Sequence, residues 1–306
     1  MTGQEYGAAG SGLVLRAAGE PSAAVAAVPG KDVGVKAAAE NFPVALRLLP
    51  SRHRRHLMAV YVFARATDDV GDQAPPAERL GLLAELEQDL RRLYAGPANG
   101  SPPALEAVSG LAQTVAECQI PVQPFLDLIE ANRQDQVVSR YETFDDLLGY
   151  CRLSANPVGR IVLQVFGSFS PERAELSDLI CTGLQLAEHW QDVAEDLQAG
   201  RIYLPAQDLR RYDVSEDDLA APTAPAAVRE LMAFQVSRAG SLIDAGAPLI
   251  GLLRGSARAA VAGYVAGGRA ALAAISAAGY DVLAATPRPR RSRTAAELVR
   301  AMARAR

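Results

Sequence analysis

From Lys36 onward the chain keeps one rhythm, apolar residues recurring at helical spacing between prolines, and no stretch alternates apolar and polar long enough to make a strand. That pattern restricts the chain to an all-α fold. Helices are expected at about 51–73, 76–95, 103–118, 123–139, 144–168, 171–199, 224–253 and 256–284, with starts at Ser51 after Pro50 and at Thr143 with Asp146 three residues on. No repeat of roughly 20–50 residues recurs, which argues against a solenoid. Residues 1–34, rich in Ala, Gly, Val and Ser without a period, read as a disordered or loosely docked arm; 35–285 read as a single helical domain. The tail 286–306, "TPRPRRSRTAAELVRAMARAR", holds seven arginines and reads either as a solvated extension or as a basic amphipathic patch for an anionic membrane or a partner.

Composition removes several function classes. At 306 residues, half of them apolar, the chain can bury a large core, and a net charge of −4 argues against nucleic-acid binding as the main activity, since phosphate binding needs a basic face. Cys118, Cys151 and Cys181 lie far apart in no C-x-x-C spacing, so neither a disulfide framework nor a zinc knuckle is expected. Apolar runs fall short of the roughly 18 residues of a membrane span, the most alanine-rich being interrupted by Arg258 and Arg269. The N-terminus lacks a basic region followed by an apolar one, so a soluble, cytoplasmic protein is expected.

Carboxylates are where the pattern becomes specific. Helical residues advance about 100° each, so Tyr61, Arg65, Asp68 and Asp72 in "YVFARATDDVGD" share one stripe. "LQLAEHWQDVAED" repeats the arrangement with Gln185, Glu188, Asp192 and Asp196, and Glu195 at its margin. Carboxylates four apart on a helix stand roughly 6 Å from each other and repel by a few tenths of a kcal/mol when merely solvated. One such pair at a helix end is commonplace. Two matched stripes facing across a bundle could hold Mg²⁺ around a diphosphate, because magnesium takes oxygen ligands from one or two carboxylates and completes its sphere with phosphates and water. Apolar residues beside the stripes would line a lipid-shaped cavity.

Taken together, "NFPVALRLLP", "AVYVFARATDDVGD", "YCRLSANPVGR" and "QLAEHWQDVAEDLQAGRIYLP" resemble the trans-isoprenyl diphosphate synthases of the squalene and phytoene synthase family, over about Asn41 to Leu283. The resemblance implies an all-α isoprenoid synthase fold, a single helical bundle around a central apolar cavity. It also implies two or three Mg²⁺ ions between the acidic helices, held by Asp68, Asp72, Asp192 and Asp196 with Asp69 in support. Arg65 and Tyr61 then look like diphosphate or first-site contacts, Gln185 a polar residue at the cavity rim, and Arg201 with Tyr203 closing contacts on the diphosphate. Tyr150, Ala155, Val158 and Gly159 match the segment lining the hydrocarbon tunnel, where small side chains leave room for a chain; Asn41 and Phe42 match the first motif.

Departures narrow the choice within that family. Glu188 stands where the family has Asn, Gln191 where it has Arg, Asn41 where it has Ser, and Gly268 where many members have Tyr. These features look most like the bacterial hydroxysqualene synthase branch of hopanoid biosynthesis, which implies presqualene diphosphate as substrate, capture of a carbocation by water, and no need for NADPH. "GAAGSG" at Gly7–Gly12 is not a dinucleotide fingerprint. Losing an arginine at 191 would suit one diphosphate better than two. Glu188 is expected either to ligate Mg²⁺ or to accept a hydrogen bond from the attacking water. A head-to-head condensing synthase and a catalytically silent helical scaffold are the rivals. Substrate and product both partition into lipid, so peripheral contact with the inner membrane face is also expected.

Other residues invite weaker readings. His53 and His56 in "SRHRRH" mimic a metal pair, but Arg52, Arg54 and Arg55 would oppose a cation, so a basic helix start is expected, with Arg52 reaching the diphosphate. His189 reads as packed beside the site, Trp190 as core, and Asp145 and Asp146 as capping charge.

Overall fold

The computed structural model describes residues 49–96 and 101–304. Asn41, Phe42 and the arm 1–34 lie outside them. Among the described residues every regular element is a helix: α1 Ser51–Gln73, α2 Arg79–Ala95, α3 Glu106–Ser109, α4 Ala112–Cys118, α5 Gln123–Gln134, α6 Phe144–Ser154, α7 Asn156–Val165, α8 Pro171–Gln191, α9 Val193–Gln198, α10 Ala206–Arg211, α11 Glu216–Leu219, α12 Ala226–Gly246, α13 Leu249–Leu252, α14 Gly255–Ala277 and α15 Arg291–Arg304. The all-α expectation holds.

Sequence places the helix ends for identifiable reasons. Thr143 and Asp146 form a reciprocal capping box at α6, each satisfying a backbone N–H of the other's turn. Ser51 differs from expectation: it is the first residue of α1 rather than its cap, and Pro50 precedes it without a side-chain cap. Four expected helices are split. The 144–168 helix breaks at Ala155, where Pro157 cannot donate the backbone bond that would continue α6 into α7. Pro248 ends the 224–253 helix in the same way. The 103–118 helix breaks around Gly110. The 171–199 helix breaks at Asp192, whose backbone leaves helical geometry at φ −103°, ψ 17°.

Two adjoining apolar clusters form the core. One gathers Phe63, Phe125 and Leu90 of α1, α5 and α2, with the Phe63 and Phe125 rings edge to face at 5.2 Å. The other surrounds α8, α12 and α14 and contains Trp190, fully buried as expected. Close helix approach depends on missing side chains. A Cβ on Gly183 of α8 would lie 2.6 Å from Ile243 of α12, and one on Gly268 of α14 would lie 2.6 Å from Leu184 and 2.8 Å from Ile243. Gly268, where the family has tyrosine, is therefore a packing notch.

α14 is long and apolar enough to cross a membrane by length and composition, yet 56% of that stretch is buried against its neighbours. The tail is not a solvated extension. Gln191 donates its amide to the Pro287 carbonyl, Thr286 donates to Glu195 at 2.8 Å, and α15 then packs along α14.

Candidate functional site

Asp68, Asp69 and Asp72 sit in the last two turns of α1. Burial pushes the Asp68 carboxyl up to about 7; Asn132 and Arg65 oppose the rise, while Asp72 and Asp69 add to it. Its side chain nonetheless keeps open surface. Both are true of a carboxylate on the wall of a concave site, ringed by protein but reached by solvent. The Asn132 amide donates to it at 3.1 Å. Asp69 turns aside to pair with Arg65 at 2.7 Å, which spends that arginine on charge balance within the stripe. Tyr61 lies half-buried further along the same face.

The second face runs from Gln185 through Glu188 to the break at Asp192. Burial, with Glu195, Glu188 and Asp196 adding repulsion, raises Asp192 to about 6. The break lets α9 start in a new direction, so that Asp196 comes within 3.8 Å of the His189 ring. Gln185 meets the other side of that ring at 3.1 Å. Glu188 stands exposed at the rim.

One residue joins the faces. Arg201, in the strap after α9, places both terminal guanidinium nitrogens on one Asp72 oxygen, at 3.1 and 3.2 Å, while its backbone N–H donates to the Asp196 carbonyl at 2.8 Å. Tyr203 then stacks on His189 with ring centroids 3.7 Å apart. The enclosed space between His189, Asp196, Arg201 and Tyr203 is about 10 Å³, room for one water at most. These closing groups are thus already packed on each other.

A residue the sequence did not single out anchors this end. Asp135, just past α5, accepts from Tyr150 at 2.8 Å and from Tyr203 at 3.4 Å. Burial raises its carboxyl, against the lowering effect of the Tyr150 hydrogen bond and of Arg201 and His189. The only trace of it in the sequence is the polar run Asn132–Gln136 ending an apolar helix.

Deeper along the α8 stripe, Cys181 keeps some accessible surface although burial pushes its thiol up to about 12, and Tyr264 of α14 opposite it is raised for the same reason. Both therefore face the interior of the bundle.

The other expected site residues lie in packed or distant surroundings. A Cβ on Gly159 would lie 2.4 Å from Ser177 and 2.5 Å from Cys181, so the glycine permits the close contact between α7 and α8. Tyr150 and Ala155 are buried, Tyr150 being held by Asp135 and Ala155 forming the joint between α6 and α7; Val158 is half-buried beside them. Gln191 is buried and turned to Pro287. Arg52 lies sixteen residues before Asp68, about 24 Å along the helix at 1.5 Å per residue, and cannot share its ligand. His53 and His56 bond to different elements, Ser256 at 3.2 Å and Thr114 at 3.0 Å, and make no metal pair.

Among the described residues no three carboxylate, thiol or imidazole groups converge as a ready cage for an ion. What is present is an all-oxygen donor set in two pairs, with Asp68 and Asp192 disfavoured as bare anions. Such a set fits Mg²⁺ bound jointly with a polyphosphate, the mode in which one or two carboxylates suffice.

Comparison with known proteins identifies the family. The squalene/phytoene synthase family model matches residues 35–295. A hydroxysqualene synthase of Sinorhizobium fredii is 36% identical over 69% of this chain and 70% of its own, and a 15-cis-phytoene synthase of Synechococcus elongatus is 33% identical over 66% and 68%. The crystal structure of squalene synthase HpnC from Alicyclobacillus acidocaldarius superposes with a TM-score of 0.73 at 42% identity, covering 82% of this chain and 95% of that one. A dehydrosqualene synthase structure superposes at 0.77 with 24% identity, covering 90% and 96%, and supports the fold alone. With two acidic helix faces joined across the bundle and a family match over most of its length, the chain belongs to the squalene/phytoene synthase family, whose members act on prenyl diphosphates and share the isoprenoid synthase fold.

Proposed function

We propose that the chain is a Mg²⁺-dependent enzyme that converts presqualene diphosphate and water to hydroxysqualene and diphosphate without NADPH. The observation that carries this reading is the Arg201–Asp72 ion pair, which closes the strap following one acidic face onto the other. Resemblance to hydroxysqualene synthases at 35–36% identity supports this reaction over the others in the family.

Asp68, Asp72, Asp192 and Asp196 would hold the ions, with Asp69 in support. When bound, Mg²⁺ neutralises the diphosphate as negative charge builds on the departing oxygen. Arg201 exchanges its carboxylate for the diphosphate, a switch between two anions of matched geometry. Tyr203 and Tyr150, fixed by Asp135, hold the strap that carries Arg201 and keep bulk water from the cation. Glu188, exposed on the α8 stripe, accepts a proton from the single water that captures the cation. The bond to the diphosphate oxygen breaks, the cyclopropylcarbinyl cation rearranges and a bond of its three-membered ring breaks, the new carbon–oxygen bond forms at the opened cation, and the proton that water loses passes to Glu188. A Glu188→Gln enzyme with unchanged product and Mg²⁺ dependence would remove that role.

The second reading, head-to-head condensation of two prenyl diphosphates, is favoured by the phytoene synthase relatives at 33% identity. A silent helical scaffold would gain nothing from two self-repelling faces. Presqualene, farnesyl and geranylgeranyl diphosphates are supplied separately with Mg²⁺ and no NADPH, and the products extracted. Hydroxysqualene from presqualene diphosphate alone is the expected result. Presqualene diphosphate or phytoene from the shorter substrates would install the condensing reading, and no diphosphate from any of them would leave the scaffold.

A further inference from the structure

The end of the bundle away from the acidic faces carries the opposite charge. α1 begins there with Arg52, Arg54 and Arg55 exposed, and His53 ties it to α14 through the Ser256 hydroxyl. α14 brings Arg254 and Arg258 at its first turn. α15 leaves the acidic end at Pro287 and runs back along α14, arriving with Arg300 and Arg304 exposed. The opposing charges on these elements are few. Glu117 is paired with His56 at 3.3 Å, Glu172 and Glu175 are exposed in the first two turns of α8, and Glu297 is buried against Arg300 at 2.7 Å. In a chain of net charge −4 this concentration is local.

Apolar surface opens in the same place. Val299 is 69% exposed, Phe169 43% and Leu252 40%; Phe169 follows Phe166, whose ring packs on His53. Between α14 and α15 lies a groove of about 460 Å³ lined by Arg258, Leu298, Val299, Met302 and Ala303. Apolar side chains ringed by arginine match a bilayer surface, where the former enter the acyl boundary and the latter meet headgroup phosphates. Nucleic acid would use the arginines and leave the groove empty.

We infer that this end of the bundle docks on an anionic lipid surface, with Val299, Leu252 and Phe169 entering the interface and Arg254, Arg300 and Arg304 pairing with phosphates. Docked so, the acidic face stands about 25 Å away at 1.5 Å per helical residue from Ser51 to Asp68, on the water side.

The full chain is sedimented with vesicles of phosphatidylglycerol mixed with phosphatidylcholine, and of phosphatidylcholine alone. Binding is expected only to the anionic vesicles and should weaken as salt shortens the reach of charge. The variant R254E/R300E/R304E should bind at least about a hundredfold more weakly, since each basic residue near such a surface is worth roughly fivefold. Val299→Ser, which removes apolar surface without adding charge, should weaken binding without changing its salt dependence. Circular dichroism and the thermal midpoint show that each variant is folded. Equal binding to both vesicles, or binding unmoved by charge reversal, would overturn the inference. So would a dimer that the triple variant converts to monomer, which would give the face to a second copy. Lipid binding that appears only once residues before Leu49 are removed would give it to the chain's own N-terminal segment.

Discussion

The two acidic faces carry similar residues at similar spacing, but the backbone presents them differently. α1 runs unbroken beneath Asp68 and Asp72, each of which has a partner from elsewhere in the chain, Asn132 and Arg201. α8 stops at Asp192, and Asp196 belongs to the next short helix. One face is thus a rigid wall. The other is a hinge whose far side leads directly to the strap that bears Arg201 and Tyr203.

If the faces act as one unit, the largest effect comes from removing a carboxylate from either. Asp72→Ala and Asp192→Ala should each lower diphosphate release by about 10²–10³-fold. The double variant should fall little further, because residues that act together are strongly non-additive. Multiplying losses, measured as kcat/KM of the three variants, would separate the faces into independent sites.

Next in size is the link itself. Arg201→Ala should cost roughly 10²-fold in kcat, the scale of losing one preorganised donor to a developing anion. Arg201→Lys should recover only part, since an ammonium cannot present a planar fork. Asp135→Asn should lower turnover by about 10–100-fold, in line with other groups that orient a site without touching the ligand. An Asp135→Asn enzyme that is less stable but fully active would make Asp135 a packing residue and leave the hinge to support itself.

How much of this the sequence disclosed follows from the range of each interaction. The carboxylate stripes were legible because helical spacing is local, as was the capping box at Thr143; the break at Pro157, equally local, is missed when 144–168 is read as one helix. Asp135 was not, because its importance arises from Tyr150 and Tyr203, which lie 15 and 68 residues away. The break at Asp192 has no proline or glycine to announce it. Gly159 was ambiguous for a related reason: a missing side chain looks the same in sequence whether a ligand or a helix fills the gap. Gly159→Ala decides between these. Overpacking against Ser177 and Cys181 should cost roughly 1–3 kcal/mol in denaturant unfolding with product unchanged. A stable variant with altered product would return the residue to the tunnel.

The smallest effect distinguishes wall from hinge by pH in the metal-free protein. Asp68 ordinarily ionises near 3.8 and is raised to about 7 in the fold; Asp192 is raised to about 6. The folded state therefore holds these protons more tightly than the unfolded chain. Between pH about 4 and about 7 the unfolded chain binds fewer protons, so stability falls as pH rises through that window and levels above it. Open surface at Asp68 lets solvent screen the charge and keeps the decline shallow. Asp68→Asn should remove the upper part of the slope, near pH 6–7, and Asp192→Asn only the part below about 6. Thermal midpoints across this range test it. Identical flattening by both substitutions would mean that the faces titrate as one cluster, and the contrast between wall and hinge would then rest on backbone geometry alone.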